Sequence, residues 1–222
     1  MSAKTAIIIG ATGLTGSILL ERLIADDSYS TIKLFSRKPC HQKSSKIKEF
    51  LGDIINLEEF KGEFTGDEVF CCIGTTAAKT KDKYVYERID VGIPSKAAKL
   101  AKENQISTFI VISALGADVN SKVFYNRIKG KMEESVLSQE MNSTYILRPS
   151  LILGNRNERR IGERLATVFM AILQPILIGK IKKYRGIEAT SIAICMHKLT
   201  QLNRASGIVE SDEIQAISEE AV

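Results

Sequence analysis

The sequence predicts an α/β protein built on a doubly wound parallel sheet, as a single domain with a small C-terminal cap on the substrate side. Three observations predict it. Apolar, β-branched runs alternate with segments of helical period over the first two thirds of the chain. A glycine turn follows the first run directly. Parallel neighbours also need long connections, which pack back onto the sheet as right-handed helical crossovers.

Taken in order, strands are expected near 5–10, 31–36, 68–73, 107–113 and 144–148, with a weaker one near 48–52. Helices are expected near 14–26, 83–103, 121–140 and 158–173. This alternation is Rossmann-like. After Pro149 the pattern changes to a polar, arginine-rich loop at 154–160, an amphipathic helix, and a Gly/Lys-rich segment at 179–186. A helix near 188–203 and a short Ile/Val strand follow. One Rossmann-like domain over 1–222 is the reading, with 150–205 contributing the cap.

At 222 residues and 44% hydrophobic content the chain is long enough for a continuous core. Its apolar runs are interrupted well before the roughly 18 residues that span a bilayer, and the opening Met-Ser-Ala-Lys leads straight into a strand, so a membrane role is not expected. The formal charge of +5, from 31 basic against 26 acidic residues, does not call for nucleic acid. Four cysteines lack zinc or redox spacing, and the adjacent Cys71 and Cys72 point to opposite faces of a strand. Reduced structural thiols follow, with cytoplasm as the expected compartment. His41 and His197 have no partners at ligand spacing, so no metal site is expected and surface polar roles suffice for both.

The stretch Gly10-Ala11-Thr12-Gly13-Leu14-Thr15-Gly16 carries the first chemistry. Gly10 allows the tight turn, Gly13 lets backbone approach a pyrophosphate, and Gly16 permits close packing of helix on strand. The amides of the helix start, through Thr12, Leu14 and Thr15, face phosphate oxygens. A glycine turn alone is a weak signal; the preceding apolar strand and following helix supply the context it requires. At the end of the second strand an NAD enzyme places an acid for the ribose 2′-hydroxyl. Here Arg37 and Lys38 stand instead, which favours NADP(H) over NAD(H).

The second chemistry lies far downstream. Ser113 ends the strand Thr108–Ser113, at the carboxyl edge where open α/β sheets build sites. Tyr125 and Lys129 are i and i+4 on a helix and share a face. A free tyrosine, with a pKa near ~10, exchanges protons poorly at neutral pH, and a nearby ammonium favours the phenolate. Tyr125 then serves as acid or base, Ser113 bonds the substrate oxygen, and Lys129 also holds the nicotinamide ribose. By itself a Tyr-x-x-x-Lys pair more often means a packed ring beside a snorkelling lysine. The coupling to Ser113 and the glycine turn is what favours catalysis.

The chain resembles an atypical member of the short-chain dehydrogenase/reductase superfamily, and within it the Tat-interactive-protein-like group. The resemblance rests on the Gly10–Gly16 turn, Phe70-Cys71-Cys72-Ile73-Gly74-Thr75-Thr76, Ser113 to Asp118, Tyr125 to Gly130, and Arg148-Pro149-Ser150. It implies a Rossmann fold, NADP(H) binding and a Ser-Tyr-Lys site. It also implies Gly74 and Thr75 in a cofactor loop, Pro149 beside the nicotinamide, and Asp53 near the adenine. One departure stands out: where related enzymes carry an asparagine of the proton relay, this chain has Asp90.

The expected function is therefore an NADP(H)-dependent oxidoreductase acting on a small carbonyl or alcohol. The alternative, from another class, is an NADP(H)-sensing regulatory module that binds a partner protein with little turnover. A sensor has no need to keep an intact Ser-Tyr-Lys set. Arg156, Arg159 and Arg160 offer either an anion site for substrate or a solvated helix start. The apolar helix Leu165–Leu173 is core by default, with a pocket wall or homodimer face as the functional readings. Lys180, Lys182, Lys183 and Arg185 read as a solvated basic run.

Overall fold

The computed structural model describes residues 3–154, 179–202 and 204–220. The helix expected at 158–173, with the pocket or dimer face assigned to it, and Arg156, Arg159 and Arg160 lie outside the described residues. Among the described residues no helix is long and apolar enough to cross a membrane.

The first strand, β1 (Lys4–Ile9), runs through Ile7, Ile8 and Ile9, which have no exposed surface. Burial of such side chains contributes about 1.5–3 kcal/mol each. Around it assembles a seven-stranded, wholly parallel sheet formed with β2 (Tyr29–Ser36), β3 (Ile47–Leu51), β4 (Glu68–Cys71), β5 (Thr108–Ile112), β6 (Ser143–Arg148) and β9 (Gly207–Glu210). The spatial order is β3-β2-β1-β4-β5-β6-β9. The order reverses beside β1, and there Ile9 pairs with Phe35 on one side and Cys71 on the other. A crevice opens at such a reversal, beyond the carboxyl ends of the strands.

The period of two sorts side chains into two cores. Ala6, Ile8, Leu34, Phe70, Ile110 and Leu147 share one face with α1 (Leu14–Ala25), α5 (Ala189–Leu199) and α6 (Ser211–Glu219). Ile7, Ile9, Phe35, Val69, Phe109 and Val111 share the other with a 3₁₀ turn (Ile54–Phe60), α3 (Ile93–Glu103) and α4 (Phe124–Leu137). Cys71 and Cys72 fall on opposite cores, as adjacent strand residues must. All four cysteines are free.

Three differences from the sequence reading have physical causes. The helix expected over 83–103 is α2 (Lys83–Glu87) joined to α3 through one π turn, Arg88–Gly92, which draws Asp90 fully into the interior. Asp82 caps its start by accepting from the amides of Tyr84 and Val85. The stretch 150–205 is not all cap: α5 packs against α1 under the main sheet, through Leu19, Leu20, Ile192 and Met196. The short pair β7 (Ile152–Leu153) and β8 (Ile187–Glu188) forms a separate two-stranded sheet whose Ile187 reaches the same core, with a 3₁₀ turn at Gly179–Tyr184 before it. His197, read as a surface residue, is buried on α5, with Nε2 2.7 Å from Asp26 Oδ2.

Candidate active site

The phosphate end is made from backbone. Gly10 has φ +89°, and a Cβ there would lie 2.9 Å from the carbonyl carbon and oxygen of Cys72. Gly16 is held closer still: its Cβ would lie 2.2 Å from the Gly10 carbonyl oxygen. The helix start is thus pressed onto the turn, and only hydrogen fits at either position. Gly13 donates to Gly10 O (3.0 Å) and stands at the N-cap of α1, where no side chain caps the helix. The first amides, at Leu14, Thr15 and Gly16, therefore lack a capping acceptor. Thr12 is exposed above them and Thr15 is buried. Leu14 lies against Gly154. This open cradle of donors, which side chains would fill, fits a pyrophosphate.

At the next strand end, the Ser36 hydroxyl donates to Lys38 O (2.7 Å), while Ser36 O accepts from Gly52 N (3.1 Å). These bonds set the loop after β2 beside the loop after β3. Arg37 and Lys38 are exposed there and form no ion pair among the described residues. Asp53 is exposed too, and its Oδ1 accepts from Ile55 N (3.0 Å), capping the 3₁₀ turn.

The chemical end is made from side chains. Tyr125 lies in the first turn of α4 and is 41% exposed, enough to meet a substrate. Lys129, one turn on, is buried, with Nζ 3.1 Å from Asp90 Oδ1 and 3.3 Å from Ile112 O. The other oxygen of Asp90 accepts from Thr75 N (2.8 Å). Burial alone would lower the Lys129 pKa, but the Asp90 carboxylate, with Tyr125 adding to it, outweighs burial and holds the ammonium above its ordinary value. Gly74 flanks this pair: a Cβ there would lie 3.6 Å from Asp90 Oδ1 and 3.9 Å from Lys129 Nζ. Tyr86 OH donates to Thr75 O (3.2 Å), and Thr75 and Thr80 bond through their hydroxyls (2.9 Å), so the 74–80 loop is tied down at several points. Burial pushes the neighbouring Cys71 thiol up to about 12, which keeps it protonated and unreactive.

Ser113 has a protein partner of its own. It does end β5, but it is 2% exposed and its hydroxyl donates to Glu133. Glu133 is also gripped by Arg148, through Nε (3.0 Å) and Nη2 (2.5 Å), and Arg148 Nη1 lies 3.5 Å from Glu210. A hydroxyl has one proton. In this arrangement that proton is donated to the Glu133 carboxylate, and Ser113 ties β5 to α4. Pro149 is buried, and its carbonyl accepts from Leu115 N (2.9 Å), joining the loops after β5 and β6.

Sequence reasoning missed Glu133 and Arg148 as site residues and noted Asp90 only as a replacement. Glu133 carried a readable signal, since 125, 129 and 133 follow one another at i+4 along one helix face. Among the described residues no group of three or more His, Cys, Asp or Glu side chains is placed to hold a metal.

A reversed-order parallel sheet, a side-chain-free glycine cradle at the reversal and a buried lysine beside a tyrosine define an NAD(P)-binding protein of the atypical short-chain dehydrogenase/reductase type. Residues 10–168 match the family model described as NAD(P)H-binding, and the chain belongs to that family. It is 33% identical over 178 residues to Protein HTATIP2 of Rattus norvegicus, covering 78% of this chain and 73% of that one. To Protein FMP52, mitochondrial, of Debaryomyces hansenii it is 35% identical over 159 residues, 69% of each chain. The FMP52 protein of Eremothecium gossypii is 28% identical over 219 residues, 96% of each. Among solved structures, the Bordetella bronchiseptica enzyme WbmH in complex with NAD+ superposes with a TM-score of 0.71 at 14% identity, over 94% of this chain and 75% of that one, a likeness of fold.

The FMP52 relatives correct one expectation. They are named mitochondrial, which overturns the cytoplasmic placement.

Proposed function

We propose that the protein is an NADP(H)-dependent oxidoreductase acting on a small carbonyl or alcohol, with Tyr125 as its acid/base. The observation that carries this reading is the charged, buried Lys129, fixed by Asp90 and the Ile112 carbonyl one helical turn from a partly exposed Tyr125. The cofactor, when bound, supplies or accepts the hydride. Around it, the amides of the Gly10–Gly16 turn hold the pyrophosphate, and Arg37 and Lys38 hold the 2′-phosphate. An ammonium has three protons. Lys129 donates one to Ile112 O and lies in ion-pair contact with Asp90, which leaves protons for the ribose and Tyr125. Tyr125 gives its proton to the substrate oxygen during reduction and takes one during oxidation. Ser113 braces β5 through Glu133 and takes no part in the proton transfer.

The test is a calorimetric titration with NADPH and NADH at fixed salt, then a carbonyl and alcohol panel followed by cofactor absorbance. Tighter NADPH binding and turnover that depends on Tyr125 are expected. Equal affinities would remove the NADP(H) preference.

One observation favours a second reading. With the Ser113 proton held by Glu133, the site has one donor fewer for a substrate oxygen, as suits an NADP(H) sensor. Tight NADPH binding with no turnover across the panel would select it. By analogy with the FMP52 relatives we place the protein in mitochondria, which cell fractionation tests.

A further inference from the structure

A buried carboxylate stands against the lysine of the candidate site, and the chemistry of that site has so far used only the lysine. Asp90 has no exposed surface and Lys129 is 4% exposed. One Asp90 oxygen accepts from Thr75 N at 2.8 Å, and the other lies 3.1 Å from Lys129 Nζ as an ion pair, without a hydrogen bond among the described residues. The π turn at Arg88–Gly92 carries Asp90 to this position. The pair is buried beneath the loop that follows β4. Gly74 lies against both charged atoms, and two residues earlier Cys72 backs onto the glycine turn at Gly10.

A lysine alone would give this crevice a net positive charge. Paired with Asp90, it leaves the nicotinamide end without net charge from this pair. Such a difference is felt unequally by the two redox states of a nicotinamide cofactor, because the oxidised ring is cationic and the reduced ring is neutral. We infer that Asp90 sets the redox-state preference of the site: by cancelling the charge of Lys129 it lets the oxidised cofactor bind on terms close to those of the reduced one. This inference rests on the nucleotide-site reading above. Asp90 is a positioning residue in this account, acting through Lys129 and through the 74–75 loop.

The test measures affinities and needs no substrate. NADP+ and NADPH are titrated calorimetrically into the wild type, Asp90→Asn, Lys129→Met and the double variant. Asparagine retains the shape and the acceptor for Thr75 N but not the charge, so the single variant leaves Lys129 uncompensated. A unit charge acting within about 12 Å at an effective dielectric of about 20 corresponds to at least roughly a factor of ten in binding. The ratio of NADP+ to NADPH affinity should therefore fall about tenfold or more in Asp90→Asn and rise in Lys129→Met. It should return towards the wild-type ratio in the double variant, where a buried ion pair is replaced by neutral groups, a change that folds usually tolerate. A purely structural role would weaken both cofactors alike and leave the ratio fixed. Should Asp90→Asn not fold, the opposite shift in Lys129→Met and its cancellation in the double variant still decide the matter. An unchanged ratio in the folded single variants overturns the inference. Failure of the wild type to bind either cofactor would instead overturn the nucleotide-site reading.

Discussion

The two ends of the crevice are built from different materials. At the phosphate end the chain excludes side chains: Gly10 and Gly16 meet so closely that a methyl group at either would run into backbone. At the chemical end everything depends on side chains from separate elements, with Asp90, Lys129, Thr75, Glu133, Ser113 and Arg148 joined in two buried clusters. The difference teaches where each end is vulnerable. A backbone cradle fails when something is added, and a side-chain cluster fails when something is removed.

Substitutions can break this contrast or sharpen it. The largest effect is expected from Tyr125→Phe, which keeps the ring and removes the proton: turnover should fall roughly 10²–10⁴-fold with NADPH affinity retained. A wild-type rate in single-turnover absorbance measurements would exclude Tyr125 as the acid/base. Next comes Glu133→Ala, which leaves Arg148 and Ser113 without their shared acceptor. Urea unfolding should show a loss of about 2–4 kcal/mol, while NADPH affinity of the folded fraction stays as it was. A parallel loss of affinity would mean that the two ends are not separable. Arg37→Ala removes a charge-assisted bond and should cost NADPH about 1–3 kcal/mol in calorimetry, sparing NADH. Equal losses for both nucleotides would take Arg37 away from the 2′-phosphate. The smallest change is expected for Ser113→Ala, about 1 kcal/mol of stability, because Arg148 still satisfies Glu133. If this variant instead loses turnover as Tyr125→Phe does, Ser113 touches the substrate after all.

The glycine turn was largely legible in the sequence because its determinants are local. A glycine at 10 and at 16, an apolar strand before them and a helix after them are all neighbours along the chain. The same holds for the sheet: β1, β2, β5 and β6 follow apolar runs closely, and the alternation of Cys71 and Cys72 across two cores comes from strand geometry alone. The chemical end was legible only in part. Tyr125 and Lys129 share a helix face that a period of 3.6 reveals, but the π turn that buries Asp90 lies inside what reads as one helix over 83–103. Nothing local distinguishes it, since what rewards the turn is a charge on α4. The partner of Ser113 was hidden for a related reason. A serine at a strand end looks free until a carboxylate from another element arrives to take its proton. The placement of α5 under the sheet, where a cap was expected, was likewise decided by its apolar match to α1.

The position of β9 has a consequence for how the molecule is made. The strand that completes the sheet beside β6 is the last among the described residues, and its Val209, with Ile214 and Ile217 of α6, comes later than almost everything they touch. A ribosome delivers β6 long before β9. During that interval the growing chain carries an unpaired sheet edge and an uncovered apolar face, the combination by which nascent proteins stick to one another. The final strand thus acts as a closing stitch, and a chain released before Gly207 would leave the seam open.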